Sequence, residues 1–563
     1  MNLNAAIETE TNPQRELATA ASPEEESRPA SFIDNWFHAH LNAVAIGITA
    51  AAFVARIALA GKTYFNPDEA LHYLLINEPS LLLAYKASLT NAHPPLIYLL
   101  LYGAHLLGRS ELMLRLPLVL AGTAFCWFIF KWVRTLFGEA AGLIALIVAA
   151  FSPTLIALAA EVREYALLLF FIAAALYFLE RAFAQKSVCT MWLFSIFLYF
   201  AILSHYSAAF FALTAGIYAL ARFSDSGWPR KLTASWALGQ VGALAIYLFL
   251  YITHLSKIKN NLAIWGTTFG ATFYRFNQES IFHFTVYNTW KIFQYVFSQP
   301  YVGGAMLAAF VAGAGLLLVR DLISAARTPV PRHAGILFLL PFAALWATAI
   351  AGIYPYIASR HTAVLFPFAI AAASFFFACV SRRRLWIALL LAGLLVGISS
   401  CYGNCPEPGI TQADQRRELM SDAMKLMRSI PEDDLILADM QSSQPLAYYY
   451  CGAEKALFMS WSHENFDRFH CNGHQIVSLH FWLLRPEGLD RPFEQVARNY
   501  GLKPGDRVWV FQAGWGGDLM AELPQRIEQL HCVTPITFGK NITIVPLMAG
   551  PDLSPAPQAN CSN

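Results

Sequence analysis

A chain that repeats apolar runs of about twenty residues has one good way to fold. Crossing hydrocarbon as a helix takes about 20 residues, with each backbone hydrogen bond closed inside the segment. Such runs occur at 41–60, 111–134, 140–160, 164–184, 190–204, 206–222, 232–253, 300–320, 333–354, 360–380 and 384–400. Composition agrees. Of the 563 residues 56% are hydrophobic and 13% charged, against roughly 25% charge in a soluble protein, and the mean hydropathy is +0.44. The sequence predicts a mainly α, polytopic membrane protein of about eleven transmembrane helices. Its basic residues are scattered at segment ends and its net charge is +2, which gives nucleic acid no patch to bind.

Residues 1–40 are read as a disordered cytoplasmic tail. They are polar, carry Glu24-Glu25-Glu26, and lack the basic start and short apolar core of a cleaved signal peptide. The run 95–107 is too short to cross, and whether it crosses fixes the parity of every later span. Basic residues decide the matter. Lys131 and Arg134, Arg181 and Lys186, Arg222, Arg230 and Lys231, Arg320, Arg327 and Arg332, and Arg382 to Arg384 mark alternate connections. All fall on the cytoplasmic side if 95–107 stays out. The transmembrane domain is then 41–400, with outer loops 61–110 and 254–299, in a cytoplasmic (inner) membrane.

Residues 401–563 are read as an extracytoplasmic (periplasmic) α/β domain. Strand patterns at 433–440, 475–482, 507–515 and 542–547 alternate with helical patterns near 412–429, 443–450, 490–500 and 518–531, which suggests a largely parallel sheet. Six cysteines fall here, Cys401, Cys405, Cys451, Cys471, Cys532 and Cys561. In an oxidising compartment at least one pair is expected to be a disulfide, of unspecified connectivity. Cys126, Cys189 and Cys379 read as ordinary small apolar residues.

Chemistry concentrates between Gly61 and Pro117. Asp68 and Glu69 are adjacent, His72 follows Asp68 by one helical turn, and His93-Pro94-Pro95 opens an aromatic run. Ionisable groups packed against spans point to a functional site. The same parity brings Glu161 to Tyr165, Ser204 to Ser207 and Tyr354 to Arg360 to that outer face. Acids, a cation and a lipid-facing cavity suit sugar transfer from a lipid phosphate. A carboxylate takes the acceptor hydroxyl's proton, and an arginine fork meets the charge on the departing phosphate.

The ordered motifs resemble the membrane-embedded glycosyltransferases of the C-type fold, nearest to family 39. That group comprises protein O-mannosyltransferase-like enzymes and the related lipid A aminoarabinose transferases. The matching pieces are Asp68-Glu69, His93-Pro94-Pro95-Leu96, Ser110-Glu111, Leu114-Arg115-Leu116-Pro117, Leu136-Phe137-Gly138, Ser152-Pro153 and Glu161 to Ala166. The resemblance covers 41–225 well and later spans loosely. It implies that Asp68 is the base and Glu69 its partner, holding the acceptor or tuning Asp68. The family's Arg-Tyr pair before a late span becomes Arg360-His361 here. Arg360 is thus the candidate for the lipid phosphate, with an interfacial anchor as the alternative. His361 either adds a donor or replaces an aromatic ring.

The remaining candidate binding residues keep a structural reading beside the functional one. His72 shares the acid pair's helix. His93 binds phosphate or sugar, or caps a turn. Arg163 and Glu164, beside Tyr165, pair at the cavity mouth. His205 and Tyr206 touch substrate or only pack. Lys257, Lys259 and Lys291 flank an aromatic loop (Trp265, Phe269, Trp290) that reads as interfacial anchors. No close His/Cys spacing marks a metal site, although Asp68 or Glu69 leaves a divalent metal open. The leading function is transfer of a hexosyl or pentosyl unit from a polyprenyl-phosphate-linked sugar donor to a hydroxyl of a protein, lipid or glycan acceptor, among membrane lipids. The alternative is a membrane transporter or lipid flippase that couples through Asp68-Glu69, although the chain shows no internal repeat.

Overall fold

The computed structural model describes residues 32–91, 93–256, 272–323, 330–381, 384–402, 415–452, 466–479, 503, 505–514, 530–532 and 534–549. Helix α1 spans Phe32–Lys62, so it begins inside the stretch read as tail. Three short helices follow, α2 (Pro67–Ile76), α3 (Leu81–Ser88) and α4 (Leu96–Leu107). Then come α5 (Glu111–Phe137), α6 (Glu139–Phe151), α7 (Pro153–Ala159), α8 (Tyr165–Gln185), α9 (Val188–Ser204), α10 (Ala208–Ser226) and α11 (Arg230–Leu250). After residue 280 come α12 (Ile281–Phe297), α13 (Pro300–Ile323), α14 (Ala334–Ile350), α15 (Phe366–Val380) and α16 (Leu385–Tyr402). A 3-10 turn, Arg360–Leu365, leads into α15.

Every apolar run read from the sequence is helical. Among the described residues, six helices can cross a bilayer by length and composition, seven if the bent pair α6–α7 is one span; α4, α9, α14 and residues 385–400 of α16 are shorter apolar helices. The bend between α6 and α7 is 62° and has a local cause. Pro153 lacks the N–H that would reach the Ala149 carbonyl, so the helical ladder breaks there. Arg56, fully buried in α1, donates to the carbonyls of Ala149 and Ala150 at 2.9 Å each and of Ala52 at 3.0 Å. A charge inside a span thus satisfies backbone freed by a proline.

Two ends of the bundle are chemically distinct. At one, Asp34 accepts from Leu385 N–H, Arg134 bonds Asn42 and Glu139, and His333 meets Asp225. These are the connections read as basic and cytoplasmic. At the other end α1 stops against the start of α5, and α4 is short. Its twelve residues reach about 18 Å against a hydrocarbon core of about 30 Å. The Tyr449 phenol bonds both the Phe65 N–H (2.7 Å) and the Glu111 carboxylate, so residues 65 and 111 share one face.

The last part carries helices α17 (Arg417–Met427) and α18 (Ser443–Tyr449) on a seven-stranded sheet. Its strands are β1 (Leu435–Asp439), β2 (Phe466–Cys471), β3 (His474–Leu479), β4 (Arg507–Ala513), β5 (Leu530–Cys532), β6 (Ile536–Phe538) and β7 (Ile542–Ala549), in the order β2-β3-β1-β4-β7-β5 with β6 on β7. The largely parallel expectation fails. Only β1–β3 and β1–β4 are parallel among the described strands. The reason was in the sequence: Asn472-Gly473, both at positive φ (49° and 82°), is the turn pair that closes an antiparallel hairpin. Helical patterns at 490–500 and most of 518–531 fall outside the described residues, while Leu530 and His531 are in strand. So do Lys257, Lys259, Trp265, Phe269, Arg327, Arg382, Arg383, Cys405 and Cys561. Cys451 and Cys471 form a disulfide between the end of α18 and the β2–β3 hairpin.

This unit sits on the second end of the bundle. Tyr64 N–H donates to Gln415 O at 2.9 Å, Tyr448 donates to Arg109 O, and Arg417 pairs with Glu111. Gly514, at φ 83°, lies directly over Pro67. A Cβ there would come within 2.6 Å of the proline ring, so only glycine lets β4 end against the helix that carries Asp68.

Candidate active site

The site begins with a helix start. Asn66-Pro67-Asp68-Glu69 makes a capping box: Asn66 Oδ1 accepts from Glu69 N–H, and Glu69 Oε2 accepts from Asn66 N–H, both at 3.0 Å. Proline at the first helical position fixes φ without losing a bond. Adjacent residues on a helix diverge by about 100°, and the two acids part company accordingly.

Glu69 is fully buried and saturated. Oε1 accepts from Arg115 Nε (2.7 Å) and Val162 N–H (2.8 Å), and Oε2 from Arg115 Nη2 (2.6 Å) and Asn66 N–H (3.0 Å). A carboxylate has about four lone-pair sites, and all are used. The Arg115 fork continues to the carbonyls of Ala60, Thr63 and Tyr64. Glu69 and Arg115 therefore fasten the ends of α1, α5 and the 161–165 turn together. The acceptor-holding role expected for Glu69 has no free oxygen to perform it. Arg115 belongs to the Leu114-Arg115-Leu116-Pro117 motif, and an arginine inside an apolar helix is the signal that marks it.

Asp68, by contrast, is one-quarter exposed. Its Oδ2 is shared by Arg360 Nη2 at 2.7 Å and Arg163 Nη1 at 3.1 Å. Burial would raise its pKa, but the two arginines outweigh burial and hold the carboxyl at about 2. Arg360 comes from the 3-10 turn before α15 and Arg163 from the turn before α8, where Glu161 O accepts from Arg163 N–H. Three segments distant in sequence thus meet at one oxygen. Arg163 reaches past its neighbour Glu164 to pair with Asp68, which corrects the expected Arg163–Glu164 pairing.

Glu164 faces the other way, into a cluster of imidazoles. His93 Nδ1 lies 3.0 Å from Oε1, His205 Nε2 3.8 Å from Oε1, and His72 Nε2 4.0 Å from Oε2. His72 Nδ1 donates to the Asp68 carbonyl (2.6 Å), and its ring stacks on Tyr98 at 5.3 Å. Burial, with Arg163 and His93 beside it, pushes His72 down to about 3. Burial likewise takes His205 to about 4. Both are neutral at pH 7. Burial opposes the charge on Glu164, but His93 and Arg163 override it and hold the carboxyl well below the usual range. Spacing along the chain gave no hint of this cluster, because positions 72, 93, 164 and 205 come from four elements.

The remaining expected residues are more peripheral. Tyr165 hydroxyl lies 3.4 Å from His361 Nδ1, and the His361 carbonyl accepts from Tyr354. Tyr206 turns to His254, which in turn bonds the Asn91 carbonyl, and its own carbonyl accepts from Tyr247. Tyr206 therefore ties loops together.

Residues 92–255 match the family model described as dolichyl-phosphate-mannose-protein mannosyltransferase. His93, Arg163, Glu164, Tyr165, His205 and Tyr206 fall inside that segment, Asp68 and Glu69 before it and Arg360 after it. No curated protein sequence matches the chain. Among solved structures, the chain is similar to ArnT from Cupriavidus metallidurans bound to undecaprenyl phosphate, at 13% identity and a TM-score of 0.49, covering 89% of this chain and 97% of that one. It is also similar to the archaeal oligosaccharyltransferase AglB from Archaeoglobus fulgidus in complex with an inhibitory peptide and a dolichol-phosphate, at 12% identity and 0.46, covering 84% and 70%. In the segment 92–255 the chain matches the dolichyl-phosphate-mannose-protein mannosyltransferases, the family 39 kind of membrane-embedded C-type glycosyltransferase that its motifs resemble.

Proposed function

We propose that this chain is a membrane glycosyltransferase that moves a sugar from a polyprenyl-phosphate donor to an acceptor hydroxyl. The observation that carries the reading is the meeting of Arg163 and Arg360 on Asp68 at one end of the helical bundle. A carboxylate at about pKa 2 is a weak base. A lipid phosphate that enters the cleft competes for the same two guanidinium groups. Once they turn to the phosphate, Asp68 loses the charges that hold its pKa down and becomes basic enough to act. The acceptor hydroxyl then gives its proton to Asp68 as its oxygen bonds the anomeric carbon. The anomeric carbon–oxygen bond to phosphate breaks, and the phosphate leaves with the electron pair, its charge met by Arg163 and Arg360. Dolichyl-phosphate mannose, in the matched family's description, is a donor of this class.

The reading extends to placement. Basic connections at one end of the bundle support a cytoplasmic face there. The Cys451–Cys471 disulfide supports an oxidising compartment for the C-terminal unit, hence an outward-facing site. The transporter alternative gains no observation: Asp68, Arg163, Glu164 and Arg360 lie at helix ends and turns, and Glu69 is locked in structure. Purified protein should transfer radiolabelled sugar from polyprenyl-phosphate sugars to an envelope acceptor fraction. Absence of transfer across mannosyl, glucosyl and aminoarabinosyl donors, in protein that binds polyprenyl phosphate, would reject the enzyme.

A further inference from the structure

Glu164 is fully buried, yet neither oxygen completes a hydrogen bond. A buried carboxylate is strongly disfavoured unless donors or a cation meet it. The nearest groups are imidazole nitrogens. His72 Nδ1 sits 2.6 Å from the Asp68 carbonyl, which can only accept, so Nδ1 carries the proton. The other ring nitrogen, Nε2, is turned toward Glu164, and it too is buried without a hydrogen-bond partner. His93 Nδ1 approaches from the third side, with only 13% of its side chain exposed.

We infer that His72 Nε2, His93 Nδ1 and Glu164 form a binding site for a divalent transition-metal cation, with Zn²⁺ the best fit. The three ligand atoms lie within 4.8 Å of one another. In a tetrahedral shell with bonds of about 2.0–2.1 Å they would be about 3.3 Å apart, a gap that side-chain rotation closes. Two imidazoles and one carboxylate suit zinc and leave a fourth position open, whereas Ca²⁺ and Mg²⁺ favour oxygen ligands. The Asp68 carbonyl on Nδ1–H is the outer partner that orients a metal-binding histidine. His205 stays outside the set. Its Nδ1 accepts from Ser207 N–H, which leaves Nε2–H a donor toward Glu164. A cation here would add positive charge beside Arg163, where the donor phosphate is drawn. That consequence rests on the glycosyltransferase reading; the binding does not.

The test uses tag-free, full-length protein in detergent, stripped with chelator and titrated with Zn²⁺ or Co²⁺. Metal is counted by mass spectrometry after gel filtration, and Co²⁺ is followed by its visible absorption. The wild type should retain one metal per chain and gain thermal stability from it. Glu164→Gln and His72→Ala should each weaken binding by about 100-fold or more. Asp68→Asn, which keeps its backbone carbonyl, should bind as the wild type does. His93→Gln, at the less buried rim, provides a second ligand variant that should fold yet lose the metal-dependent rise in Tm. Wild-type protein that retains under a tenth of an equivalent overturns the site, as does His93→Gln or Glu164→Gln binding as tightly as wild type. Neither readout needs sugar transfer, so failure of this site and failure of the enzymatic reading are separable.

Discussion

Replacing Asp68 by asparagine separates the two tasks assigned to its cleft. The substitution keeps shape but removes the charge shared by Arg360 at 2.7 Å and Arg163 at 3.1 Å. Without a proton acceptor, transfer should fall by about 10²-fold or more. Binding of the lipid phosphate should move the opposite way. In the wild type a phosphate must displace a charge-assisted contact worth about 1.5–3 kcal/mol, whereas in Asp68→Asn both guanidinium groups face a neutral amide in place of the carboxylate. Recovery of only about 1.4 kcal/mol makes binding about tenfold tighter. Single-turnover transfer and titration with polyprenyl phosphate, run on the same preparation, give both numbers. Weaker phosphate binding by Asp68→Asn would refute the competition between carboxylate and phosphate. Near-normal transfer would refute the base.

Glu69→Gln should behave as a structural lesion: it leaves Arg115 buried and unpaired, a loss of about 3–5 kcal/mol, seen as a lowered Tm. Unchanged Tm with abolished transfer would restore Glu69 to a chemical role. Acid should erase part of the stability that Asp68 contributes. Its folded pKa of about 2 lies below the ordinary aspartate value of 3.8, so the contribution, about 2 kcal/mol, is complete above about pH 4 and lost as pH falls through 2. The Tm difference between wild type and Asp68→Asn should therefore close over that interval, and a constant gap would contradict it. Cysteines placed at Pro79 and Ser110, both exposed, should react with a membrane-impermeant thiol reagent from the same side. Opposite labelling would mean that 95–107 crosses after all.

Much was legible from the sequence because hydrophobic length is a local property. Each apolar run became helical. Asp68 was singled out by its place after the first span and Arg360 by resemblance to an Arg-Tyr pair, and the fold brings the two side chains together. The distinction between Asp68 and Glu69 was not legible. Adjacent carboxylates are equivalent on paper, and only the helix phase set by the Asn66 capping box sends one into the cleft and the other onto Arg115. The parallel reading of the C-terminal sheet came from alternation alone and overlooked Asn472-Gly473, a local signal that was present. The cluster of His72, His93, Glu164 and His205 had no local signal at all. It arises because the helix starts at 67 and 165, the turn before α4 and the turn between α9 and α10 pack at one end of the bundle. Contacts between distant segments depend on how helices dock, and docking is fixed by the shape of the whole core rather than by the spacing of any one stretch.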